Sequence, residues 1–234
     1  MNTPDALLGP SYVKALTVLR LGVLDFAEAW TLQKQLAQQR GAGVLSVDTL
    51  MLVQHPAVVT LGRSTKEGNL LISAEALAVM GIALHDVERG GDVTVHELGQ
   101  LVAYPIIDLT QHTKDLHWYL RQLEEVVIRT LAEVSLAAAR VPGFTGVWCE
   151  SRKVASIGVH ARDWITRHGV ALNVENDLRT FAHVVPCGIP GVVMTTVKAE
   201  CERAGVAFPG FMAVEEAFVQ QFGVVFGIET LASS

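Results

Sequence analysis

Three separate stretches of the chain carry side chains that could together perform acyl transfer. Residues 89–100 (RGGDVTVHELGQ) contain an imidazole, residues 153–160 (KVASIGVH) begin with an amine, and residues 184–191 (VVPCGIPG) contain a thiol. A thiolate can attack an acyl carbon when a neighbouring base or cation activates it, so these groups fit one nucleophilic site. None of the stretches is diagnostic alone, and the prediction requires a fold that brings them together.

The candidate nucleophile is Cys187. It lies between Pro186 and Gly188, in a run that predicts a stiff turn able to present a side chain to a cleft. A free thiol, with a pKa of about 8.5, needs a nearby cation, dipole or base to react at neutral pH. Glycine after the cysteine would let backbone N–H groups approach a substrate oxyanion. The alternative is a small buried hydrophobic residue, which is our interpretation of Cys149 and Cys201.

Lys153 begins a second candidate segment, because residues 154–159 alternate as a strand would. A lysine at the start of an apolar strand could carry its ammonium into a pocket and favour a thiolate there. A desolvated neutral amine could instead accept a proton. The alternative is a lysine whose aliphatic stem packs on the strand while its head reaches water.

The glycine pair Gly90-Gly91 permits a loop that approaches an acyl thioester or a pantetheine arm closely. His96 could orient the nucleophile or relay a proton, because an unperturbed imidazole titrates near neutral pH. Glycine pairs are also common in ordinary turns, and most of the eight histidines need no catalytic role. No nucleotide-binding fingerprint is present.

Spacing alone leaves a zinc site open among four histidines, but no pair has the i, i+4 separation of a helical metal site. These are His55, His96, His160 and His168. We therefore predict no metal and no cofactor.

The composition restricts the class of protein. With 234 residues, 50% of them hydrophobic, the chain can bury a sizeable core. It has no apolar run of the roughly 18 to 20 residues that span a membrane, so we expect a cytoplasmic protein. A net charge of -6 argues against nucleic-acid binding. A local basic patch of Arg152, Lys153, Arg162 and Arg167 could nevertheless meet an acidic partner; the alternative is an ordinary solvated face.

The periodicity predicts an α+β fold, a mixed β-sheet with helices packed on it, because strands and helices intermix without strict alternation. We predict one domain over residues 1–234, with no strong boundary, and a monomer. The predicted strands cover residues 16–24, 49–60 (interrupted at His55-Pro56, which suggests an edge or bulge), 82–87, 101–109, 147–148, 154–160 and 169–174. The predicted helices cover residues 25–40, 73–80, 114–136 and 214–222.

Over residues 21–191 the motifs, taken in order, resemble the octanoyltransferase family, or lipoyl(octanoyl) transferases. The matching segments are HPAVVTLGRS at 55–64, RGG-x-x-T-x-H at 89–96, K-x-A-x-x-G at 153–158, T-x-H-G-x-A-L-N-V at 166–174 and P-C-G-I at 186–189. The resemblance implies a biotin/lipoate protein ligase-like fold. It also implies transfer of an octanoyl group from acyl carrier protein to a lysine of lipoyl domains, in 2-oxoacid dehydrogenases and the glycine cleavage system.

By that resemblance Cys187 would be the acyl-accepting nucleophile and Lys153 its activating partner. Backbone N–H groups near Cys187 and Gly158 would meet the oxyanion. The substrate-binding residues would be Arg89, Gly90, Gly91, Thr94, His96, Ser156, Ile157, Gly158, His168, Gly169 and Ala171. An apolar acyl tunnel would draw its walls from Val58, Leu61, Val102, Tyr104 and Ile157.

One departure from the family pattern concerns the loop around His96. Val95 stands where the family has an aromatic residue, and Glu97-Leu98-Gly99 follows where the family has Gly-Pro-Gly. Glu97 adds a charge and cannot adopt the dihedrals open to glycine, so either the loop differs or His96 has a smaller part. This departure motivates one alternative, a noncatalytic module that binds acyl carrier protein. The other is an ATP-dependent lipoate or biotin protein ligase, against which the P-C-G-I motif argues.

Overall fold

The computed structural model describes residues 14–231, which form two β-sheets and five α-helices. The strands are β1 (Ala15–Val23), β2 (Asp48–Gln54), β3 (Val58–Leu61), β4 (Ala83–Asp86), β5 (Thr94–His96), β6 (Gln100–Ile106), β7 (Val147–Cys149), β8 (Arg152–Arg162), β9 (Ile165–Asn173), β10 (Val193–Met194) and β11 (Glu229–Leu231). The helices are α1 (Phe26–Gly41), α2 (Ala74–Val79), α3 (Leu116–Glu133), α4 (Val197–Ala204) and α5 (Phe211–Phe226). Within this range no helix is both long and apolar enough to cross a membrane.

The larger sheet is mixed, as predicted. Its strand order is β10-β8-β9-β6-β2-β1-β11, and β7 pairs with β8 outside this path. The β1/β2, β1/β11 and β8/β10 pairs are parallel, whereas β2/β6, β6/β9, β8/β9 and β7/β8 are antiparallel. The two long antiparallel strands β8 and β9 carry the Lys153 and His168 segments side by side.

Helices cover both faces of this sheet, which explains the uninterrupted apolar run of β2. Leu50 and Leu52 belong to the core shared with α3 and α5, whereas Met51 and Val53 belong to the core against α1. Because successive side chains of a strand point to opposite faces, a strand buried on both faces has no polar alternation.

Pro56 separates two sheets, so the expectation of an edge or bulge within one strand was wrong. The chain leaves the larger sheet after β2 and enters a three-stranded sheet of order β4-β3-β5. Thr60 in β3 pairs with Thr94 in β5. This small sheet supports the loop of residues 87–93, which contains the glycine pair, beside the larger sheet.

The other predicted elements are confirmed with small changes of boundary. Asp25, Ser73 and Asp115 cap α1, α2 and α3 by accepting hydrogen bonds from backbone N–H groups of the first turn. Among the strands and α-helices, four were not predicted: β5, β10, β11 and α4. Three of them are strands of two or three residues, too short to show a periodicity.

The contact between β6 and β9 allows no side chain at Gly169. A Cβ there would lie 2.3 Å from the backbone oxygen of Ala103 and 2.6 Å from Cδ of Pro105. We therefore expect Gly169→Ala to force the strands apart and lower the free energy of unfolding by about 1–3 kcal/mol, the usual range for overpacking.

Thermal unfolding of Gly169→Ala beside Gly41→Ala measures this. A Cβ at Gly41 would lie 3.5 Å from Cγ1 of Ile165, an ordinary contact, so that variant serves as the control. Equal melting temperatures for the two variants and the wild type would contradict the predicted close approach.

Candidate active site

Cys187 lies in a tight turn, as predicted, and its backbone is in the left-handed region at φ 55° and ψ 19°. Its backbone N–H donates to the carbonyl of Val93 at 2.9 Å, which fixes the turn to the start of β5. At Gly188 a Cβ would lie 2.5 Å from Oδ2 of Asp92, so glycine is required there for close approach. Non-glycine residues rarely adopt the left-handed conformation of Cys187, and the surrounding contacts hold Cys187 in it here.

Lys153 is completely buried beneath Cys187, so the alternative of a head group in water is excluded. Its Nζ donates to Sγ of Cys187 at 3.0 Å and to the carbonyl of Thr145 at 3.2 Å. It also lies 4.9 Å from the centre of the Trp148 ring. An ammonium in hydrogen-bond contact with a thiol favours the thiolate, the nucleophilic form.

Ser156 supplies a second polar group at the sulfur, with its Oγ 3.5 Å from Sγ of Cys187. It follows Lys153 on β8 and is itself buried. The prediction placed backbone oxyanion donors near Cys187 and Gly158, and in the turn of the nucleophile itself these N–H groups are already engaged. The N–H groups of Cys187, Gly188 and Ile189 already donate to the carbonyls of Val93, Val185 and Pro186. At the sulfur, therefore, side-chain donors are the groups placed to meet an acyl oxygen.

Cys187 opens onto a cavity of about 280 Å³ between the two sheets. Most of the predicted substrate-binding residues line this cavity: Arg89, Gly91, Thr94, His96, Ser156, Ile157, Gly158, His168, Gly169 and Ala171. Gly90 does not line it; its N–H donates to the carbonyl of Val159 at 2.8 Å and so ties the loop to β8.

The proposed acyl tunnel is only partly as expected. Tyr104 and Ile157 line the cavity. The expectation was wrong for Val58, Leu61 and Val102, which do not line the cavity and pack instead in the hydrophobic clusters behind its walls. Sequence reasoning missed four other residues that line the cavity: Asp92, from an unassigned position of the 89–96 motif, and Phe26, Phe144 and Thr145, from segments without a motif.

Arg89 holds the loop together, although it also lines the cavity. Its Nη1 donates to the carbonyls of Gly90 and Asp92, and its Nη2 donates to both the carbonyl and Oγ1 of Thr60. Only Nε has no partner. Four of the five donors are therefore committed to joining β3 to the 87–93 loop, rather than to a substrate.

His96 is held in one tautomer. Nε2 of Gln100 donates to the carbonyl of Val95 and to Oδ1 of Asn173, so Oε1 of Gln100 is left to accept from Nδ1 of His96 at 2.8 Å. Phe26 stacks on the His96 ring with centroids 6.0 Å apart. Burial lowers the pKa of His96 well below its ordinary value, and the neighbouring His55 lowers it further. The imidazole is neutral at pH 7, with its Nε2 able to accept a hydrogen bond.

Glu97 stabilises the loop that its presence had placed in doubt. Its Oε1 accepts from Nδ2 of Asn176 at 2.9 Å and from the backbone N–H of Leu178 at 2.9 Å. The positive φ falls on Gly99, at 87°, rather than on Glu97. A Cβ at Gly99 would lie 2.8 Å from the backbone nitrogen of Asn176. The departure from the family pattern is therefore compatible with an ordered His96.

The predicted basic patch does not form. Lys153 is buried, Arg152 pairs with Glu200 and Glu150, and Arg167 pairs with Glu88 at 2.7 Å. Within residues 14–231, no group of three His, Cys, Asp or Glu side chains is placed to hold a metal ion. His55, one of the zinc candidates, instead contacts the carbonyl of Leu24 and the hydroxyl of Tyr104.

The other two cysteines are core residues, as interpreted from the sequence. Cys149 and Cys201 are 3% and 0% exposed. Burial raises the pKa of Cys149 to about 12, and burial likewise raises the pKa of Cys201. Neither thiol forms a reactive thiolate near neutral pH.

Comparisons with known proteins agree with this fold. The family model described as the lipoyl protein ligase A/B catalytic domain matches residues 25–223. A lipoate protein ligase from Thermoplasma acidophilum, solved in a study of that enzyme and its E2 lipoyl domain, superposes with a TM-score of 0.68 at 17% identity, covering 95% of this chain and 89% of that one. The Leishmania major biotin protein ligase in complex with biotinyl-5-AMP gives 0.54 at 13% identity, over 92% and 76% of the two chains. The fold is thus that of lipoate and biotin protein ligases, as predicted.

Sequence identity decides the family within this fold. The octanoyltransferase of Thermosynechococcus vestitus is 44% identical over 209 residues, which cover 89% of each chain. The chain belongs to the octanoyltransferase family of transferase enzymes. Its biochemical role is octanoyl transfer for protein lipoylation.

The three buried histidines in and beside the cavity should make the free energy of unfolding depend on pH. Burial lowers the pKa of His55, His96 and His168, so below about pH 6.5 the unfolded chain binds more protons than the folded one. The free energy of unfolding should fall as the pH decreases from about 7 to about 5, by up to about 1.4 kcal/mol per pH unit for each histidine.

Urea unfolding of the wild type and of His96→Gln across this pH range measures the effect. The variant should lose a distinct part of the slope, because one of the three groups no longer titrates. Identical slopes for the two proteins would contradict the assignment of His96 as a buried neutral imidazole.

Proposed function

We propose that the chain moves an octanoyl group from octanoyl acyl carrier protein, through a thioester on Cys187, to a lysine of a lipoyl domain. The observation that carries this proposal is the buried Lys153 ammonium, 3.0 Å from Sγ of Cys187 at the wall of the cavity. A cysteine activated by a cation at the wall of a pocket is suited to forming an acyl-enzyme.

In the first half-reaction the Cys187 thiolate attacks the carbonyl carbon of the donor thioester. A new C–S bond forms, the bond to the pantetheine sulfur breaks, and Lys153 supplies the proton that the leaving thiolate takes up. Lys153 and Ser156 lie on the same strand beside the sulfur and would stabilise the charge on the acyl oxygen.

In the second half-reaction the ε-amine of the acceptor lysine attacks the Cys187 thioester. An amide forms, Cys187 leaves as the thiolate, and the now neutral Lys153 accepts the proton lost by the attacking amine. The transfer needs no ATP, because the free energy of the donor thioester drives formation of the amide.

The acyl chain would lie in the cavity, against Phe26, Tyr104, Ile157 and Val170. Gly158 makes room for the loop that closes the cavity, since a Cβ there would lie 3.0 Å from the carbonyl oxygen of Gly90. We propose that the acceptors are the lipoyl domains of 2-oxoacid dehydrogenases and of the glycine cleavage system. The whole chain would act as one catalytic domain.

Two other functions fit the structure less well. An ATP-dependent lipoate or biotin protein ligase shares the fold but needs no cysteine nucleophile, so the Lys153–Cys187 contact would be without purpose. A noncatalytic carrier-binding module was motivated by Glu97 and Leu98. Membership of a transferase family argues against such a module, and the ordered contacts of Glu97 show that this residue does not disrupt the loop.

Replacement of the nucleophile separates these functions. We expect Cys187→Ser to abolish octanoylation of a lipoyl domain from octanoyl acyl carrier protein, while Cys149→Ser retains it, because only Cys187 meets the cavity. The measurement is the mass of the lipoyl domain over time, without ATP. Full activity of Cys187→Ser, or an absolute need for ATP, would refute the proposal in favour of a ligase.

We expect replacement of Lys153 to reduce octanoyl transfer nearly as much as replacement of Cys187. Lys153→Met keeps the length and the apolar stem but removes the charge and the proton, so we expect a loss of at least about a hundredfold in turnover, the lower range for general acid–base catalysis. Lys66→Met, at the surface, is a control for a lost lysine. Turnover of Lys153→Met within a few fold of the wild type would exclude Lys153 from proton transfer.

A further inference from the structure

Glu124 is a carboxylate in the interior that the reaction described above does not use. It lies on α3, and its side chain is 0% exposed. Oε2 accepts from Nη1 of Arg121 at 2.6 Å and from Nε of Arg140 at 3.0 Å. These two arginines account for its charge, since a buried carboxylate is stable only with such partners.

Its other oxygen makes a bond that charge compensation does not require. Oε1 of Glu124 accepts from the backbone N–H of Gly146 at 3.1 Å. That N–H belongs to the same peptide group as the carbonyl of Thr145, which accepts from Nζ of Lys153 at 3.2 Å. In a trans peptide the N–H and the C=O point in opposite directions. One planar group therefore has Glu124 on one side and the Lys153 ammonium on the other.

This peptide group is packed directly on the lysine side chain. Gly146 has a φ of 137°, and a Cβ there would lie 2.7 Å from Cε of Lys153 and 2.6 Å from the carbonyl oxygen of Ala155. A rotation of the peptide would therefore move the Thr145 carbonyl away from Nζ or press Gly146 against the lysine. Either change alters the 3.0 Å contact between Nζ and Sγ of Cys187.

The arrangement also has an electrostatic consequence. A carboxylate that accepts from the N–H of a peptide polarises that peptide and makes its carbonyl a stronger acceptor. The Thr145 carbonyl is thereby better suited to hold a charged ammonium in the interior, where a cation without partners is costly.

We propose that Glu124 is a positioning residue for the Lys153–Cys187 pair and acts through the Thr145–Gly146 peptide. It orients the carbonyl that holds the Lys153 ammonium against the sulfur, and touches no substrate itself. This inference rests on the proposed function for its catalytic meaning, but the effect on the Cys187 thiol can be measured without any acyl substrate.

The test compares Glu124→Gln with Glu125→Gln. Glu125 is the next residue on α3 and also binds Arg140, at 2.8 Å, but it pairs otherwise with Arg129 and is 30% exposed. The readout is the rate at which iodoacetamide alkylates Cys187, located by peptide mapping, from about pH 6 to about pH 10, because the thiolate is the reacting form.

We expect the alkylation profile of Glu124→Gln to move to higher pH, with a rate at pH 7 roughly three- to tenfold lower, the effect of weakening about one hydrogen bond. Octanoyl transfer should fall by a similar factor through kcat rather than KM, since the buried Glu124 touches no substrate. Glu125→Gln should keep the wild-type profile in both assays.

A lower melting temperature for Glu124→Gln with unchanged alkylation of Cys187 would overturn the proposal, because Glu124 would then only stabilise the fold. An equal shift in Glu125→Gln would overturn it as well, because the effect would then come from Arg140. If Glu124→Gln does not fold, Glu124→Asp keeps the charge between the arginines but shortens the reach to Gly146, and should shift the profile in the same direction.

The proposed function can fail separately. If Glu124→Gln shifts the alkylation profile while the wild type transfers no octanoyl group, the positioning role of Glu124 is supported and the proposed octanoyl transfer is refuted.

Discussion

A lysine ammonium buried against a cysteine sulfur is the interaction on which the rest of the site depends. Removing an ammonium from water costs several kcal/mol unless other groups replace its hydration. Here the replacements are the Cys187 sulfur, the Thr145 carbonyl and the face of the Trp148 ring. Thr145 and Trp148 belong to one segment and Cys187 to another, so the folded chain must hold three separate pieces, including β8 with Lys153, in register for the ammonium to be tolerated. The same requirement keeps the thiol next to a cation, which is what its chemistry needs.

The close approaches around this pair explain the positions of several glycines. Gly146 lies against the lysine stem, Gly188 against Asp92, and Gly158 against the carbonyl of Gly90. At each position a side chain would enter space already filled by backbone, by the Asp92 carboxylate or by the Lys153 side chain. The strain of the left-handed Cys187 is held in the same way, by the hydrogen bond from its N–H to Val93. The surrounding contacts thus maintain a strained geometry at a cost in stability, as is common in active sites.

Much of the fold could be predicted from the sequence, and the reasons differ between elements. The long helix α3 has a strong helical periodicity and the residues of β8 alternate, so the types of these elements were predicted correctly, as were those of β6 and β9. The separation of β2 and β3 into two sheets was not predictable from Pro56 alone, because proline marks a break without showing where the chain goes next. The pairing of Lys153 with Cys187 followed from the family resemblance, since 34 residues separate them in sequence. The role of Glu97, the involvement of Phe26, and the bond from the Cys187 N–H to Val93 depend on long-range contacts that no local pattern records.

The most direct test of this account is the mass of the protein after it is mixed with octanoyl acyl carrier protein in the absence of an acceptor domain. We expect one octanoyl group per chain, labile to hydroxylamine as a thioester is, located on the peptide that contains Cys187, and released when a lipoyl domain is added. Octanoyl transfer to the lipoyl domain without any such adduct, or an adduct on another residue, would contradict the acyl-enzyme and with it the assigned role of the Lys153–Cys187 pair.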